Sequence, residues 1–337
     1  MNSTRRRWGG LRGGLHRLLG QDRVVSVMDW NSMQFAQLLY AVPISGNIVH
    51  PVDVRQPTGQ VLSSMREAGG SSCLLYSPPF KGLAEAAVSA GLVKDEFCMS
   101  IDEATGQDLS HGNGGETGLP ELDETRVASV LFSSGTTGKP KGVRYRHRDI
   151  VLTVWAMETG LSAFPGPPSR LTSSDTVFSL IPFFHLWSWG TLYISTLIGS
   201  NYVLGGRFDP RTTSELIKRS GATWMSMVPP TMFSALTSYD RDSLDGMKVL
   251  IGGSAIPSSI LRFASEHSIE LAGIYGFTDG LAAGIGTSEI MDDLPSRNAD
   301  AVNAVTPLVF TDFQIGGDGS ELGFQGTLVT GRLLQCA

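Results

Sequence analysis

Val130-Leu131-Phe132-Ser133-Ser134-Gly135-Thr136-Thr137-Gly138-Lys139-Pro140-Lys141-Gly142-Val143 decides how the rest of this 337-residue chain is read. Three glycines, two lysines and four hydroxyls follow an apolar run. Val127 to Phe132 predicts a buried strand, which the glycines then break. Glycine lets the backbone turn sharply and approach a ligand closely. Successive N–H groups in such a turn form a concavity that attracts anions. With hydroxyls and ammonium groups added, the simplest ligand is a polyphosphate. The plain alternative is a polar surface turn, but a turn of that kind does not require two lysines. The spacing also differs from the common phosphate loop. That motif needs four residues between its glycines and a Ser or Thr directly after the lysine. Here two residues separate Gly135 from Gly138, and Pro140 follows Lys139.

Working outward from this turn, strand-like runs alternate with helical ones. Strands are expected at Val24 to Met28, Gly46 to Val52 and Cys73 to Tyr76. After the turn they are expected at Gly142 to His147, Asp175 to Ile181, Tyr202 to Leu204, Ala222 to Val228, Met247 to Ile251 and Ile269 to Ile274. Helices are expected at Asn31 to Ala41, from Pro57 through Arg66, at His147 to Phe164, at Leu186 to Ile198, after Asp209-Pro210, from Pro230, and at Pro257 to Glu266. Alternation of this kind predicts an α/β fold with parallel sheets and helices on their faces. The expected division is a basic N-terminal segment (1–16), a first α/β subdomain (17–105), a Gly-rich linker (106–124), a second α/β subdomain carrying the turn (125–285), and the start of a β-rich subdomain (286–337).

In open parallel sheets ligands sit at the carboxyl ends of the strands. Three further strand ends draw attention: Pro182-Phe183-Phe184-His185, Gly252-Gly253-Ser254-Ala255-Ile256-Pro257 and Tyr275-Gly276-Phe277-Thr278-Asp279. Aligned at one edge, they would line a single cleft. Gly253, Ser254 and Ala255 lack bulk, so a flat ring could lie on their backbone. An ordinary strand-to-helix turn is the alternative there. Tyr275 to Asp279 offers an aromatic face, a hydroxyl and a carboxylate. A carboxylate beside phosphates calls for a cation, and Mg2+ favours carboxylate plus phosphate oxygens. A capping Asp is the simpler explanation. His185, among Phe183, Phe184, Trp187 and Trp189, is either a satisfied core histidine or a pocket residue. Trp189 has plain core packing as its own alternative.

Composition narrows the classes. The 26 basic and 32 acidic residues give a net charge of −6, so no broad basic field points to nucleic acid. The three cysteines, Cys73, Cys98 and Cys336, have no metal-ligand spacing and suit a reducing, cytoplasmic compartment. Arginines at 5, 6, 7, 12 and 17 open the chain without the apolar core of a signal peptide. No run of about eighteen apolar residues predicts a membrane span.

The stretch Ser-Ser-Gly-Thr-Thr-Gly-Lys-Pro-Lys-Gly resembles the signature loop of the adenylate-forming enzymes, which include acyl-CoA synthetases. The Tyr-Gly-Phe-Thr-Asp block resembles that superfamily's Tyr-Gly-x-Thr-Glu block, with Asp in place of Glu. His185, Trp189 four residues on, and then Gly190 resemble the medium- and long-chain fatty acyl-CoA synthetase branch. The resemblance runs from about Arg17 to Arg332. It implies the large N-terminal domain of such an enzyme, with two parallel-type sheets, helices between and outside them, and a partial β-barrel at the C-terminal end.

The same resemblance implies ATP, Mg2+ and coenzyme A as co-substrate. The β- and γ-phosphates would lie on Ser133, Ser134, Gly135, Thr136, Thr137, Gly138, Lys139 and Lys141. The nucleotide would lie along Gly253, Ser254, Ala255, Tyr275, Gly276 and Phe277. Thr278 would hold the α-phosphate, Asp279 the metal, and His185 and Trp189 would line the acid pocket, with Trp189 gating it. The reaction implied converts a fatty acid to an acyl-adenylate and then to an acyl-CoA thioester.

Family members carry a ribose-binding Asp, a hinge and a small domain with a catalytic Lys beyond the strand that Gly326 to Arg332 resembles. The expectation is that this chain lacks them and adenylates poorly. An aryl- or amino-acid ligase and a non-catalytic nucleotide-binding fragment stay open as alternatives. So does a homodimer.

Overall fold

Val24–Met28 (β1) reads Val-Val-Ser-Val-Met, and its β-branched residues suit a strand covered on both faces. In the computed structural model it lies inside a sheet between β2 (Ile48–Pro51) and β3 (Cys73–Tyr76), parallel to both. The structure describes residues 13–106, 122–133, 141–163, 170–229, 231–278, 308–315 and 322–326. The basic residues 1–12, most of the Gly-rich stretch, the turn from Ser134 to Pro140, and Asp279 lie outside them. β4 (Cys98–Ser100) joins beside β3, and β5 (Val127–Ser133) joins beside β2, again in parallel. β6 (Lys141–Arg146) ends the sheet antiparallel to β5, giving the order β4-β3-β1-β2-β5-β6.

Helices α1 (residues 13–19), α2 (Met33–Ile44), α3 (Thr58–Glu67), α4 (Lys81–Ser89) and α5 (Ile101–Gly106) accompany these strands. α2 begins where the Ser32 hydroxyl accepts the Phe35 N–H at 3.0 Å. It runs through Pro43, past the expected end at Ala41. A proline there removes one donor but falls in the last turn, which Ser45 N closes on Ala41 O at 3.0 Å. Met28, Val52, Val61, Met65, Leu74, Ala84 and Ala87 form a core between this sheet and α3 and α4.

The second sheet is parallel throughout. It contains β7 (Thr176–Ser179), β8 (Asn201–Tyr202), β9 (Trp224–Met227), β10 (Lys248–Gly252) and β11 (Glu270–Ile274) in the order β11-β10-β9-β7-β8. Its helices are α9 (Pro210–Ser220), α10 (Thr231–Tyr239) and α11 (Ser258–Glu266), with α8 (Thr191–Ile198) after β7. Asp209 caps α9 by accepting the Thr212 N–H at 2.9 Å, with Pro210 at the first helical position, as its Asp-Pro pair predicts. Phe178, Met225, Met227, Val249, Ile251 and Leu271 fill the core with Phe233, Leu236 and Ile260 from the helices. At the amino ends of the strands, Lys248 Nζ lies 2.8 Å from the buried Asp175 carboxylate, which Thr223 and Thr172 also bond. Burial pushes the Asp175 pKa up, but those bonds win and hold it below the usual range.

Two helical expectations are corrected. α6 (His147–Glu158) stops short of Phe164 and passes into a π-turn at Thr159–Ala163. The expected single helix from Leu186 to Ile198 is two pieces. Leu186–Trp189 (α7) is a left-handed turn, with φ of 47°, 52°, 65° and 54° along it, and Gly190 at 72° leads into α8.

The chain divides into two compact units. The first holds residues up to Ile150 together with Phe183–His185 and Thr330–Ala337, and the second holds Val151–Pro182 and Leu186–Val329. At the C-terminal end β12 (Thr311–Ile315) pairs antiparallel with β13 (Leu322–Gly326). Among the described residues this pair is what stands where a partial barrel was expected. No described helix is long and apolar enough to cross a membrane.

Candidate functional site

The carboxyl edge of the first sheet carries the connection after β5 and the loop after β2. β5 delivers Ser133 there, and the antiparallel return of β6 pairs Ser133 with Lys141. Ser133 is half-buried and Lys141 exposed. The strand pair therefore anchors both ends of the glycine–hydroxyl turn. Ser134, Gly135, Thr136, Thr137, Gly138 and Lys139 lie outside the described residues. Phe132, immediately before the turn, packs against buried His50 of β2 with ring centroids 5.2 Å apart.

The loop after β2 supplies a charge cluster that sequence reasoning missed. Asp53 Oδ1 lies 3.1 Å from Arg55 Nε, and Oδ2 lies 3.2 Å from an Arg55 terminal nitrogen, a two-pronged pairing. Gln56 donates to the same carboxylate at 3.1 Å. Burial works against the Asp53 charge, but these bonds and the Arg55 charge keep its pKa below the usual range.

Arg55 also meets His185 Nε2, while Asp53 Oδ2 stands 4.0 Å from that nitrogen. The guanidinium lies over the Phe184 ring at 5.0 Å. The Phe183 N–H donates to Asn31 Oδ1 at 2.9 Å, and Phe183 meets Phe35 edge-on at 5.4 Å. Trp30 flanks Phe184 at 6.0 Å. The Phe-Phe-His tripeptide is thus fastened to the first unit through two buried rings, while 41% of the His185 side chain is exposed. Desolvation of the imidazole, then the Arg55 charge, push its pKa down to about 4 against an opposing pull from Asp53. His185 is a neutral ring at physiological pH. The sequence signal for this cluster was the Asp-x-Arg pair two residues after the strand-ending Pro51, but its target lies 130 residues away.

The second unit presents its own carboxyl edge. α7 holds four consecutive non-glycine residues in the left-handed region, at roughly 1–2 kcal/mol each. Its restraints are specific. The Ser188 hydroxyl donates to Ile181 O at 2.6 Å and lies 2.7 Å from Ser179 Oγ. Thr191 Oγ1 donates to Ser188 O at 2.8 Å, and Trp187 is buried beside Tyr193 with centroids 5.9 Å apart.

The turn leaves Trp189 half-buried at the end of β10. A Cβ built on Gly252 would stand 3.2 Å from Trp189 Cη2, and only 2.3 Å from Ile274 Cγ2. Glycine is required at that position by close approach. The next residues, Gly253, Ser254 and Ala255, are exposed, with Gly253 at φ 93° and Ser254 Oγ donating to Pro229 O at 3.1 Å. After β11, Tyr275 and Gly276 are exposed, and Phe277 and Thr278 are half-buried. Tyr275 and Phe277 meet edge-on at 6.4 Å. Trp189 and the two segments at Gly253 and Tyr275 thus all follow the carboxyl ends of one parallel sheet. Asp279, the expected metal ligand, lies outside the described residues. Among those described, the ligand-type group Asp242, Asp245 and His267 is accounted for without an ion, because His267 Nδ1 pairs with Asp245 at 2.6 Å and stacks on Phe263.

Three comparisons bear on this arrangement. The medium-chain-fatty-acid–CoA ligase of Ectopseudomonas oleovorans is 29% identical over 278 residues, covering 78% of this chain and 50% of that protein. The long-chain-fatty-acid–CoA ligase of Thermus thermophilus is 29% identical over 277 residues, covering 80% and 50%. The chain thus spans about half the length of these curated relatives. The inhibitor-bound N-terminal domain of FACL13 from Mycobacterium tuberculosis has the same fold, with a TM-score of 0.82 over 98% of this chain and 83% of that one, at 19% identity. The family of AMP-binding enzymes matches residues 10–333, and the chain belongs to it.

Proposed function

We propose that this chain takes part in the ATP-dependent activation of a fatty acid. The carboxylate attacks the α-phosphate of ATP, forming an acyl–phosphate bond and releasing pyrophosphate. The thiolate of coenzyme A then displaces AMP to give the thioester. The observation that carries the reading is the β5–β6 pairing of Ser133 with Lys141, which brackets the glycine–hydroxyl–lysine stretch at the carboxyl end of β5. The names of the two relatives favour a fatty acid over an aryl or amino acid.

In the first half-reaction both reactants are anions. Two unit charges about 4 Å apart repel by about 4 kcal/mol at an effective dielectric near 20. Ser133, Ser134, Gly135, Thr136, Thr137 and Gly138 would meet the β- and γ-phosphates with N–H and O–H donors. Lys139 and Lys141 would offset their charge. Gly253, Ser254 and Ala255, with Tyr275, Gly276 and Phe277, would receive the nucleoside. Thr278 would bond the α-phosphate. Asp279 has the oxygen donor that Mg2+ favours beside phosphates, and the ion would supply charge neutralisation there. His185 and Trp189 would line the acyl pocket. The reading places the reaction in the cytoplasm.

Calorimetry of the full chain with ATP, with and without Mg2+, tests the first part. Binding that Mg2+ tightens and that Lys139→Ala weakens is expected, and no ATP heat at millimolar concentration refutes it. Exchange of labelled pyrophosphate into ATP tests the acid. Stimulation by decanoate above cinnamate is expected, and the reverse order selects the aryl reading.

A further inference from the structure

We propose that Arg55 is a positioning residue for His185: its guanidinium, clamped by Asp53, donates to Nε2 and so fixes the imidazole as the neutral tautomer with its proton on Nδ1. A guanidinium has donors and no acceptor, so a ring nitrogen that meets it must present a lone pair. The contact is between an Arg55 terminal nitrogen and His185 Nε2. The other ring nitrogen then carries the hydrogen, and Nδ1–H is the donor that His185 has to offer. Arg55 is itself held on both sides. Asp53 takes two of its nitrogens at 3.1 and 3.2 Å, and the Phe184 ring lies under its carbon at 5.0 Å. The guanidinium plane cannot swing away without losing both partners.

The charged groups acting on His185 are Arg55 and Asp53, with opposite effects. Arg55 disfavours a protonated ring, and Asp53 favours one. Their pairing therefore keeps a neutral, singly oriented donor rather than a cation. Resting on the acid-activation reading, this gives His185 a defined role toward a carboxylate. It contributes one directed N–H and no charge that varies with pH. Lysine would keep the charge but lose the fork that grips Asp53 and the ring together.

The test is nitrogen-15 NMR of labelled histidine in the full chain, with His185→Gln identifying the signal. The expected spectrum is a neutral ring protonated at Nδ1 throughout about pH 6 to 8. In Arg55→Leu the tautomers should mix, and the midpoint of titration should rise by about a unit or more as Asp53 acts unopposed. Asp53→Asn, which frees the guanidinium, should mix the tautomers without raising the midpoint.

Decanoate binding is the second readout. The affinity at about pH 7.5 should fall about tenfold in Arg55→Leu, the loss of one directed bond, and should recover as the pH is lowered. His185→Asn, which keeps an N–H near Nδ1, should retain more affinity than His185→Gln, which keeps one near Nε2. A wild-type ring protonated at Nε2, or an Arg55→Leu ring unchanged in tautomer and midpoint, overturns the proposal. If decanoate binds no form of the chain, the acid-activation reading fails, and the tautomer spectrum still decides the role of Arg55.

Discussion

Each sheet buries a cluster of hydroxyls in its middle, and the two clusters have different consequences. In the first sheet, Ser26 of β1 meets Ser71 and lies 3.1 Å from His50 Nδ1 on β2. That cluster stays among neighbouring strands and ends at an imidazole that burial pushes down to about 3. In the second sheet, Ser179 of β7 and Ser226 of β9 stand 2.5 Å apart and lead on to Ser188, with Tyr202 at 3.2 Å from it. That cluster reaches beyond the sheet to a strained turn and fixes where Trp189 stands. A polar group inside a sheet can thus be internal cement whose protonation limits acid stability. It can also be a strut holding a loop in a conformation the backbone disfavours.

Removal of the second cluster's apolar partner is the most severe test of this contrast. Trp187→Ala empties a site that is 2% exposed and should cost about 3–5 kcal/mol in urea unfolding. Because the same ring anchors α7, the variant should also lose the fixed emission of Trp189. Unaltered Trp189 emission would mean that the turn holds its shape without the ring.

Ser188→Ala follows, at about 2–3 kcal/mol, since it strips partners from Ile181 O, Ser179 and Tyr202 inside the fold. Ser71→Ala should cost only about 1 kcal/mol, because His50 retains Ser26. Equal losses in urea denaturation would erase the distinction between strut and cement.

The first cluster is probed by pH. His50 is protonated in the unfolded chain below its ordinary pKa of 6.5 but stays neutral in the fold down to about 3. Between those values the unfolded state binds more protons, so stability rises with pH and is lost as pH falls below 6.5. The slope from this one group is about 1.4 kcal/mol per pH unit, or about 2 kcal/mol by about pH 5. His50→Asn should lessen the acid sensitivity of the urea midpoint by that amount relative to the native chain, whereas Ser188→Ala should leave the acid sensitivity unchanged.

These contrasts also show what the amino-acid order could reveal. Strand positions were legible as short apolar runs bracketed by polar, glycine or proline residues. Val24–Met28 and Cys73–Tyr76 lie where that pattern puts them. The loops at Ser133, Gly253 and Tyr275 were legible as strand ends because glycine and hydroxyl residues interrupt the apolar runs there, and their ligands belong to the proposal. The pairing of Arg55 with His185 was not, since nothing local in either segment refers to the other. α7 was misread for a physical reason. Nothing in Leu-Trp-Ser-Trp forbids a right-handed helix, and left-handedness accompanies the partners that Ser188 and Trp187 find at β7, Ile181 and α8. Short apolar elements such as α4 and β4 carried too little periodicity to be separated from loops.

The smallest effect is also the one whose sign decides most. Gly190 sits between α7 and α8 at φ 72°. Were Leu186 to Ile198 one right-handed helix, Gly190→Ala would stabilise it by about 1 kcal/mol, because alanine is the better helix former. In the left-handed turn the added Cβ is strained by about 1–2 kcal/mol, partly offset by a stiffer unfolded chain. The nearest neighbour, Met157 Sδ at 3.2 Å, is the end of a flexible side chain and can yield, so crowding adds little. The net expectation is a loss of about 1 kcal/mol in the urea midpoint. A gain of similar size would show that α7 rejoins α8 in solution. The hydroxyls of the second sheet would then be cement like those of the first, with no strained turn to support.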